Sequence, residues 1–292
     1  MLGWIELSPS QSESGSDRRI PLYKLIAFDY DGTAAIDGRL PTERVRQAIA
    51  AARARGAIMV LATGRPYDSA AHYAQALGLD APVICFQGAM VREISGEKRL
   101  LFVESAPADA MQEILALADE RGLELNLYAE ERMVVVPRDR PASFYEKWFG
   151  MEIQFVNSYP EMWKVFAALG MPPLKGLFIG DPETNAAFRD ELGRRFAGRL
   201  SAVRSHDMFV EVHSTEASKG HGLRFLAQHY GVPQSDTIAV GDSGNDCSMI
   251  EWAGLGVAMA NASPEVLAVA DVVAPSVTED GLVDVIERYI LS

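Results

Sequence analysis

Three apolar runs in the first third of the chain each end in a short polar turn: Leu25-Ile26-Ala27-Phe28, Ile58-Met59-Val60-Leu61-Ala62 and Val83-Ile84-Cys85-Phe86. They are continuous rather than alternating, the pattern of strands covered on both faces of a parallel sheet. Between the first two, Val45, Ala48, Ile49 and Ala52 recur at helical spacing, after Thr42 as N-cap and before Gly56 as stop. A second helix runs from Pro66 to about Leu77 and closes at Gly78. This β-α-β-α-β alternation predicts a parallel sheet with right-handed crossovers.

The pattern then changes. Met90–Ile94 and Arg99–Glu104 flank Ser95-Gly96-Glu97-Lys98 as a predicted hairpin. A helix over Ala108–Arg121 is followed by strands at Leu123–Tyr128 and Met133–Val136, and by a helix near Pro141–Phe149. A strand at Lys175–Ile179, a helix over Pro182–Phe196 and strands near Leu200–Val203 and Met208–Val212 complete an α+β block. The first pattern then returns, with a helix from Lys219 to about Tyr230 and a strand at Thr237–Val240. A helix over Cys247–Trp252, a strand at Leu255–Met259, a helix from Ser263-Pro264, a short strand at Val272-Val273 and a helix over Asp280–Tyr289 follow. The expected fold class is α/β, with a core domain at 22–89 and 205–292 split by an inserted α+β domain at 90–204. Residues 1–21, Ser-, Gln- and Gly-rich between Ser8 and Asp17, read as a flexible N-terminal extension.

Composition narrows the classes. A formal charge of -13 argues against non-specific binding to nucleic acid or to an anionic membrane. Two cysteines, Cys85 and Cys247, make neither a disulfide framework nor a cysteine metal site, and fit a reducing, cytoplasmic setting. No apolar run approaches the ~18 residues of a membrane span.

Candidate chemistry gathers at the strand ends, where open α/β sheets bind ligands. Asp29 and Asp31 close the first strand, Thr63 the second, Gln87 the third, and Asp242 the strand at Thr237–Val240. In extended backbone residues i and i+2 point the same way, so Asp29 and Asp31 can share a pocket. Crowded acids are costly without a cation, a donor or a shared proton. A calcium loop counted from Asp29 places Ala34 and Leu40 where Gly and Glu are needed; counted from Asp242, it places Cys247 and Ala253 there. Nothing matches the Gly-rich, Lys-containing P-loop. The oxygen-rich set suits Mg²⁺ with waters and a substrate phosphate. Asp246, four residues after Asp242 at a helix start, is either a further or water-mediated ligand or a plain first-turn acid. Thr63 and the backbone N–H groups of Gly64 and Arg65 form a candidate anion site, with simple capping as the alternative. Lys219 opens a helix, where a cation gains nothing from the dipole, so it calls for a phosphate or aspartate partner unless it is merely solvated.

Together these stretches resemble the haloacid dehalogenase-like (HAD) superfamily of phosphohydrolases. Asp29-Tyr30-Asp31-Gly32-Thr33 looks like its first motif, and Ala62-Thr63-Gly64-Arg65 like its second. Ser218-Lys219-Gly220 resembles the third, and Gly241-Asp242-Ser243-Gly244-Asn245-Asp246 the fourth. The insertion between motifs two and three, with Gly256-Val257-Ala258-Met259-Ala260-Asn261-Ala262 and Glu279-Asp280-Gly281, is similar to the Cof-type group with a large α/β (C2-type) cap. The chain departs from the family at Gln87-Gly88-Ala89, where Asn-Gly-Ala is common, and at Thr33-Ala34-Ala35, where Thr-Leu-Leu is common.

The resemblance implies a doubly wound parallel sheet and a Mg²⁺-dependent phosphatase acting on a small phosphomonoester, such as a sugar, nucleotide or cofactor phosphate. It implies Asp29 as nucleophile, forming an aspartyl-phosphate, and Asp31 as acid and base. Thr63 and Lys219 would hold the phosphoryl oxygens. The metal would be held by Asp29, the Asp31 carbonyl oxygen and Asp242, with Asp246 in support. Gly64, Arg65, Gln87 and Asn245 are its substrate-side candidates, and Asn126, Tyr128 and Lys164 those of the inserted domain. His206 and His213 read as structural. The rival readings are a phosphomutase or other phosphotransferase of the same fold, and a non-catalytic ligand-binding protein. A monomer or small homo-oligomer is expected, with a phosphorylated metabolite as partner and neither nucleic acid nor membrane.

Overall fold

The computed structural model describes residues 5–6, 23–36, 39–130, 132–149 and 151–292. In chain order the elements are β1 (Ile5–Glu6), β2 (Leu25–Phe28), α1 (Glu43–Ala54), β3 (Ile58–Leu61), α2 (Tyr67–Ala76), β4 (Val83–Cys85), β5 (Met90–Arg92) and β6 (Leu100–Val103). Next come α3 (Ala108–Arg121), β7 (Glu124–Tyr128), β8 (Arg132–Val135), α4 (Ala142–Phe149), β9 (Glu152–Phe155), α5 (Tyr159–Leu169), β10 (Lys175–Ile179), α6 (Pro182–Arg195), β11 (Leu200–His206) and β12 (Phe209–Ser214). The chain finishes with α7 (Lys219–Tyr230), β13 (Thr237–Gly241), α8 (Cys247–Trp252), β14 (Leu255–Met259), α9 (Pro264–Val269), β15 (Val272–Ala274) and α10 (Gly281–Ile286).

Two compact units emerge. The first takes the described residues up to Arg65, Ala70–Phe102 and Ser218–Ser292; the second takes Val103–Ala217 with Pro66–Ser69. The first unit is built on a sheet of order β1-β15-β14-β13-β2-β3, in which β15, β14, β13, β2 and β3 run parallel. Every residue of β2 is buried. Leu25 and Ala27 meet Leu223 and Leu226 of α7 and Met249 and Ile250 of α8 in one core cluster, so these two helices cover one face of the strand.

Three features depart from the sequence reading. β4 is joined to β3 by a single parallel bridge, Ala62–Ile84, and otherwise pairs antiparallel with β5 in a small sheet of order β4-β5-β6. The hairpin at Ser95–Lys98 therefore belongs with the first unit, and the expected borders at 89/90 and 204/205 fall instead at 102/103 and 217/218. Within the expected N-terminal extension, Ile5–Glu6 is an antiparallel edge strand on β15, which gives that strand a hydrogen-bonding neighbour; the rest of the 1–21 expectation lies outside the described residues.

The second unit carries a sheet of order β11-β12-β10-β7-β8-β9, antiparallel except for the β8–β9 pair. Its core lies on one face, where Leu125, Leu127, Phe178, Val210 and Val212 pack with Met111 and Ile114 of α3, Met162 and Phe166 of α5 and Leu192 of α6. β9 and α5 fill a stretch to which the sequence reading gave no element. Their signals are local: Ser158 caps α5 by accepting from the Glu161 N–H, Pro160 sits in its first turn, and Gly170 ends it with φ 72°.

Candidate active site

Strand register brings the site together. Phe28 lies opposite Leu61 on β3 and Val240 on β13. Asp29 follows Phe28 directly, and Thr63 and Asp242 come two residues after Leu61 and Val240, so all three lie just beyond the same end of the sheet. The loop after β2 is tight: the N–H groups of Thr33, Ala34 and Ala35 all donate to the Tyr30 carbonyl. Gly32 adopts φ +77°, and a Cβ there would overlap the Asp242 carboxylate, so only glycine fits. The Asn261 amide, from the segment after β14, donates to the Gly32 carbonyl at 2.9 Å and ties the loop down.

At the centre is a buried charge cluster. Lys219, at the first position of α7, is 0% exposed. Its Nζ lies 3.0 Å from Asp29 Oδ1 and 2.6 Å from Asp246 Oδ1. The Tyr30 N–H donates to the same Asp29 oxygen at 2.7 Å. Asp246, also 0% exposed, accepts through Oδ2 from the backbone N–H groups of Asp242 and Ser243, each at 3.0 Å. Thr33 Oγ1 donates to Asp242 Oδ1 at 3.0 Å. Burial pushes the Asp29 carboxyl up to about 7, against the pull of Lys219 and with the push of Asp246. Burial, with Asp246, lifts Asp242 to about 6. For Lys219 burial works downward, but Asp246 and Asp29 outweigh it, and its pKa is raised.

This donor set fits a divalent cation. Oxygens of Asp29, Asp242 and Asp246 all lie within 4.8 Å of one another, and one lysine does not balance three carboxylates. Burial first, and repulsion from Asp246 after it, keep Asp29 and Asp242 high, a cost that a cation would relieve. Asp246 differs from the other two, because each of its oxygens already accepts from Lys219 or the backbone.

Asp31 sits at the rim. Arg65 binds it with a two-pronged contact, Nε to Oδ2 and Nη2 to Oδ1, each at 2.8 Å. The guanidinium lies 4.7 Å over the Tyr73 ring, and Tyr73 in turn packs on Tyr30 with centroids 4.1 Å apart. The Arg65 N–H donates to Thr63 Oγ1 at 3.2 Å, so Thr63 caps the turn that follows β3. A strained tip closes the far side. Phe86 and Gln87 both have left-handed backbone, φ 51° and 60°, which non-glycine residues seldom adopt. Gln87 Oε1 accepts from Asn245 Nδ2 at 2.8 Å, its N–H donates to the Thr63 carbonyl at 3.3 Å, and its amide fills the space beside Gly64. Gly88, at φ +92°, lets this tip press on the Ser218 carbonyl where α7 begins.

A family model described as haloacid dehalogenase-like hydrolase matches residues 26–286. The chain belongs to the haloacid dehalogenase-like hydrolases. YxeH of Bacillus subtilis, which carries a phosphatase name, is 34% identical over 275 residues, covering 93% of this chain and 100% of the relative. The 5-amino-6-(5-phospho-D-ribitylamino)uracil phosphatase YitU of the same organism is 27% identical over 267 residues, covering 91% of this chain and 97% of the relative. Among solved structures, the HAD phosphatase BT1666 of Bacteroides thetaiotaomicron matches with a TM-score of 0.76 at 28% identity, covering 95% of this chain and 99% of that one. This haloacid dehalogenase-like hydrolase is accordingly a phosphatase, of the Cof-type group.

Asp29, Asp31, Thr63, Gly64, Arg65, Gln87, Lys219, Asp242, Asn245 and Asp246 of this HAD-like chain all fall in its first unit, at one end of the parallel sheet or on the loops just described. The inserted-domain candidates lie in the second unit. Asn126 and Tyr128 share a face of β7, opposite Leu177 and Lys175 of β10. The Asn126 amide is 0% exposed and has no hydrogen-bond partner among the described residues. Lys164 is exposed on α5, the helix that covers the other face. His213 is buried with Nδ1 2.9 Å from the Ser214 carbonyl, and burial lowers its pKa; the side chain of His206 lies outside the described residues. Sequence reasoning gave no role to Thr33, Asn261 or Tyr73. Thr33 and Asn261 stand inside quoted motifs, whereas nothing around Tyr73 marks it.

Proposed function

We propose that the chain hydrolyses a small phosphomonoester with Mg²⁺, through an aspartyl-phosphate on Asp29. One observation carries the reading: among the described residues, the contacts to the Asp29 carboxylate fall on Oδ1, from Lys219 and the Tyr30 N–H. Oδ2 is left to meet phosphorus while Oδ1 is fixed. Lys219 favours the ionised, nucleophilic form that burial opposes.

Asp29 and Asp242, with the Asp31 carbonyl oxygen, would hold the metal. Asp246 serves in support, since it already fixes Lys219 and the backbone of the Asp242 loop. Bound there, Mg²⁺ supplies the positive charge that offsets repulsion between the acids and an incoming phosphate. Thr63, the Gly64 backbone and Lys219 offer donors to the phosphoryl oxygens, preorganised by the turn after β3 and by the start of α7. Asp31 gives a proton to the bridging oxygen as the P–O bond breaks and the Asp29–phosphorus bond forms. It then takes a proton from the water that attacks phosphorus and frees Asp29. Gln87 and Asn245 line the substrate side as a linked amide pair. The substrate class is a sugar, nucleotide or cofactor phosphate, and the setting cytoplasmic.

A panel of phosphomonoesters assayed for phosphate release tests this. Wild-type protein should turn over several of them with Mg²⁺ and none with EDTA. Asp29→Asn, folded by circular dichroism, should fall to background. Turnover retained by Asp29→Asn would remove Asp29 as nucleophile, and a phosphorylated acceptor in place of free phosphate would make the chain a phosphotransferase.

A further inference from the structure

We propose that Arg65 is a positioning residue for proton transfer, fixing the Asp31 carboxylate at the leaving oxygen rather than binding the substrate's phosphate. The inference rests on the phosphatase reading above and assigns Arg65 a task within that site.

The geometry is specific. Both Asp31 oxygens are taken by one guanidinium, at 2.8 Å each, which fixes the plane of the carboxylate as well as its place. The fork uses one lone pair on each oxygen and leaves the other free to carry or accept a proton. Such control is needed at this residue. Asp29, Lys219 and Asp246 are held by burial, but the Asp31 and Arg65 side chains are 30% and 32% exposed. A half-exposed aspartate samples several rotamers, and an ordinary surface pair restrains it little.

Here the arginine is itself restrained. Its backbone N–H is bound by Thr63 Oγ1, and its guanidinium lies over Tyr73. Tyr73 rests on Tyr30, which is fully buried and donates its hydroxyl to the Arg39 carbonyl at 2.9 Å. Tyr30 stands between Asp29 and Asp31 in sequence. The residue that separates the two acids thus supports, through Tyr73 and Arg65, the second of them. The nucleophile's loop and the acid's orientation are one packed unit.

The step served is the transfer described above: the Asp31 proton moves to the bridging oxygen as the P–O bond breaks and the Asp29 oxygen bonds phosphorus. An alkyl alcohol leaves as a strong base and needs that proton, whereas p-nitrophenolate leaves without it. The ratio kcat/KM covers only the steps through departure of the leaving group, so later hydrolysis of the phosphoenzyme does not enter.

The test compares wild type, Arg65→Met, Arg65→Lys and Asp31→Asn on an alkyl phosphate and on p-nitrophenyl phosphate. Arg65→Met should lose kcat/KM on the alkyl phosphate by on the order of 10²-fold, toward the size of general-acid catalysis, and stay within about threefold on p-nitrophenyl phosphate. Asp31→Asn should lose at least as much as Arg65→Met on the alkyl phosphate. Arg65→Lys keeps the charge but not the fork and should show the split in weaker form; it decides the matter if Arg65→Met fails to fold. An equal loss on both substrates with a raised KM would make Arg65 a phosphate ligand and overturn the proposal, as would no loss on either. A wild type inactive on both, and on every other phosphomonoester, would instead remove the phosphatase reading on which the proposal stands.

Discussion

Lys219 joins two buried carboxylates, those of Asp29 and Asp246. Removing one partner of a buried ionic group strands the others, at a cost of about 3–5 kcal/mol. Lys219→Met should therefore lower the free energy of unfolding in urea by roughly that amount, because Asp29 and Asp246 lose their shared cation. Phosphate release should fall roughly 10²–10³-fold through the lost donor. An unchanged urea midpoint would mean that the lysine does not balance the acids. The same scale separates Asp242 from Asp246. The former has a raised pKa and hydroxyl donors from Thr33 and Ser243, whereas the latter is saturated by Lys219 and two backbone N–H groups. Spacing alone does not distinguish these roles, since both are acids at a strand end.

At the scale of elements, the parallel strands were legible because burial on both faces leaves an unbroken apolar run, as in Leu25–Phe28 and Ile58–Leu61. The strand-end residues followed, since a polar residue directly after such a run must leave the sheet. β4 was read as another parallel strand because Val83–Cys85 is equally apolar; its partners are decided by the hairpin that follows. β9 escaped because its four residues are half exposed and carry little apolar signal. α5 escaped despite a cap, a first-turn proline and a closing glycine. The Arg65–Asp31 contact spans 34 residues, and the Tyr30–Tyr73 stack joins a strand end to a helix; neither leaves a trace in local pattern. Gln87 was legible as a strand-end polar residue, but its left-handed backbone was not, since nothing in its side chain favours that conformation.

For the whole molecule, the acid cluster links stability to pH and metal. Asp29 and Asp242 have native values of about 7 and about 6, above the ordinary carboxylate range. Between that range and neutrality the native state therefore holds more protons than the unfolded chain, and stability falls as pH rises. Metal-free protein should melt at progressively lower temperature from about pH 5 to about pH 8. At the proposed site Mg²⁺ would bind the ionised acids of the native state, so it should raise the melting temperature more at the upper end than at the lower. Asp242→Asn should flatten both trends. A Mg²⁺ effect of equal size across the range would place the cation elsewhere.

Trapping the phosphoenzyme tests the covalent step on Asp29. Substrate mixed with protein and Mg²⁺, quenched in acid and reduced with borohydride, converts an aspartyl-phosphate to homoserine, which peptide mass spectrometry locates. Homoserine is expected at position 29, dependent on substrate and Mg²⁺. Turnover that continues with position 29 unmodified, or homoserine at another aspartate, would contradict the covalent step on Asp29.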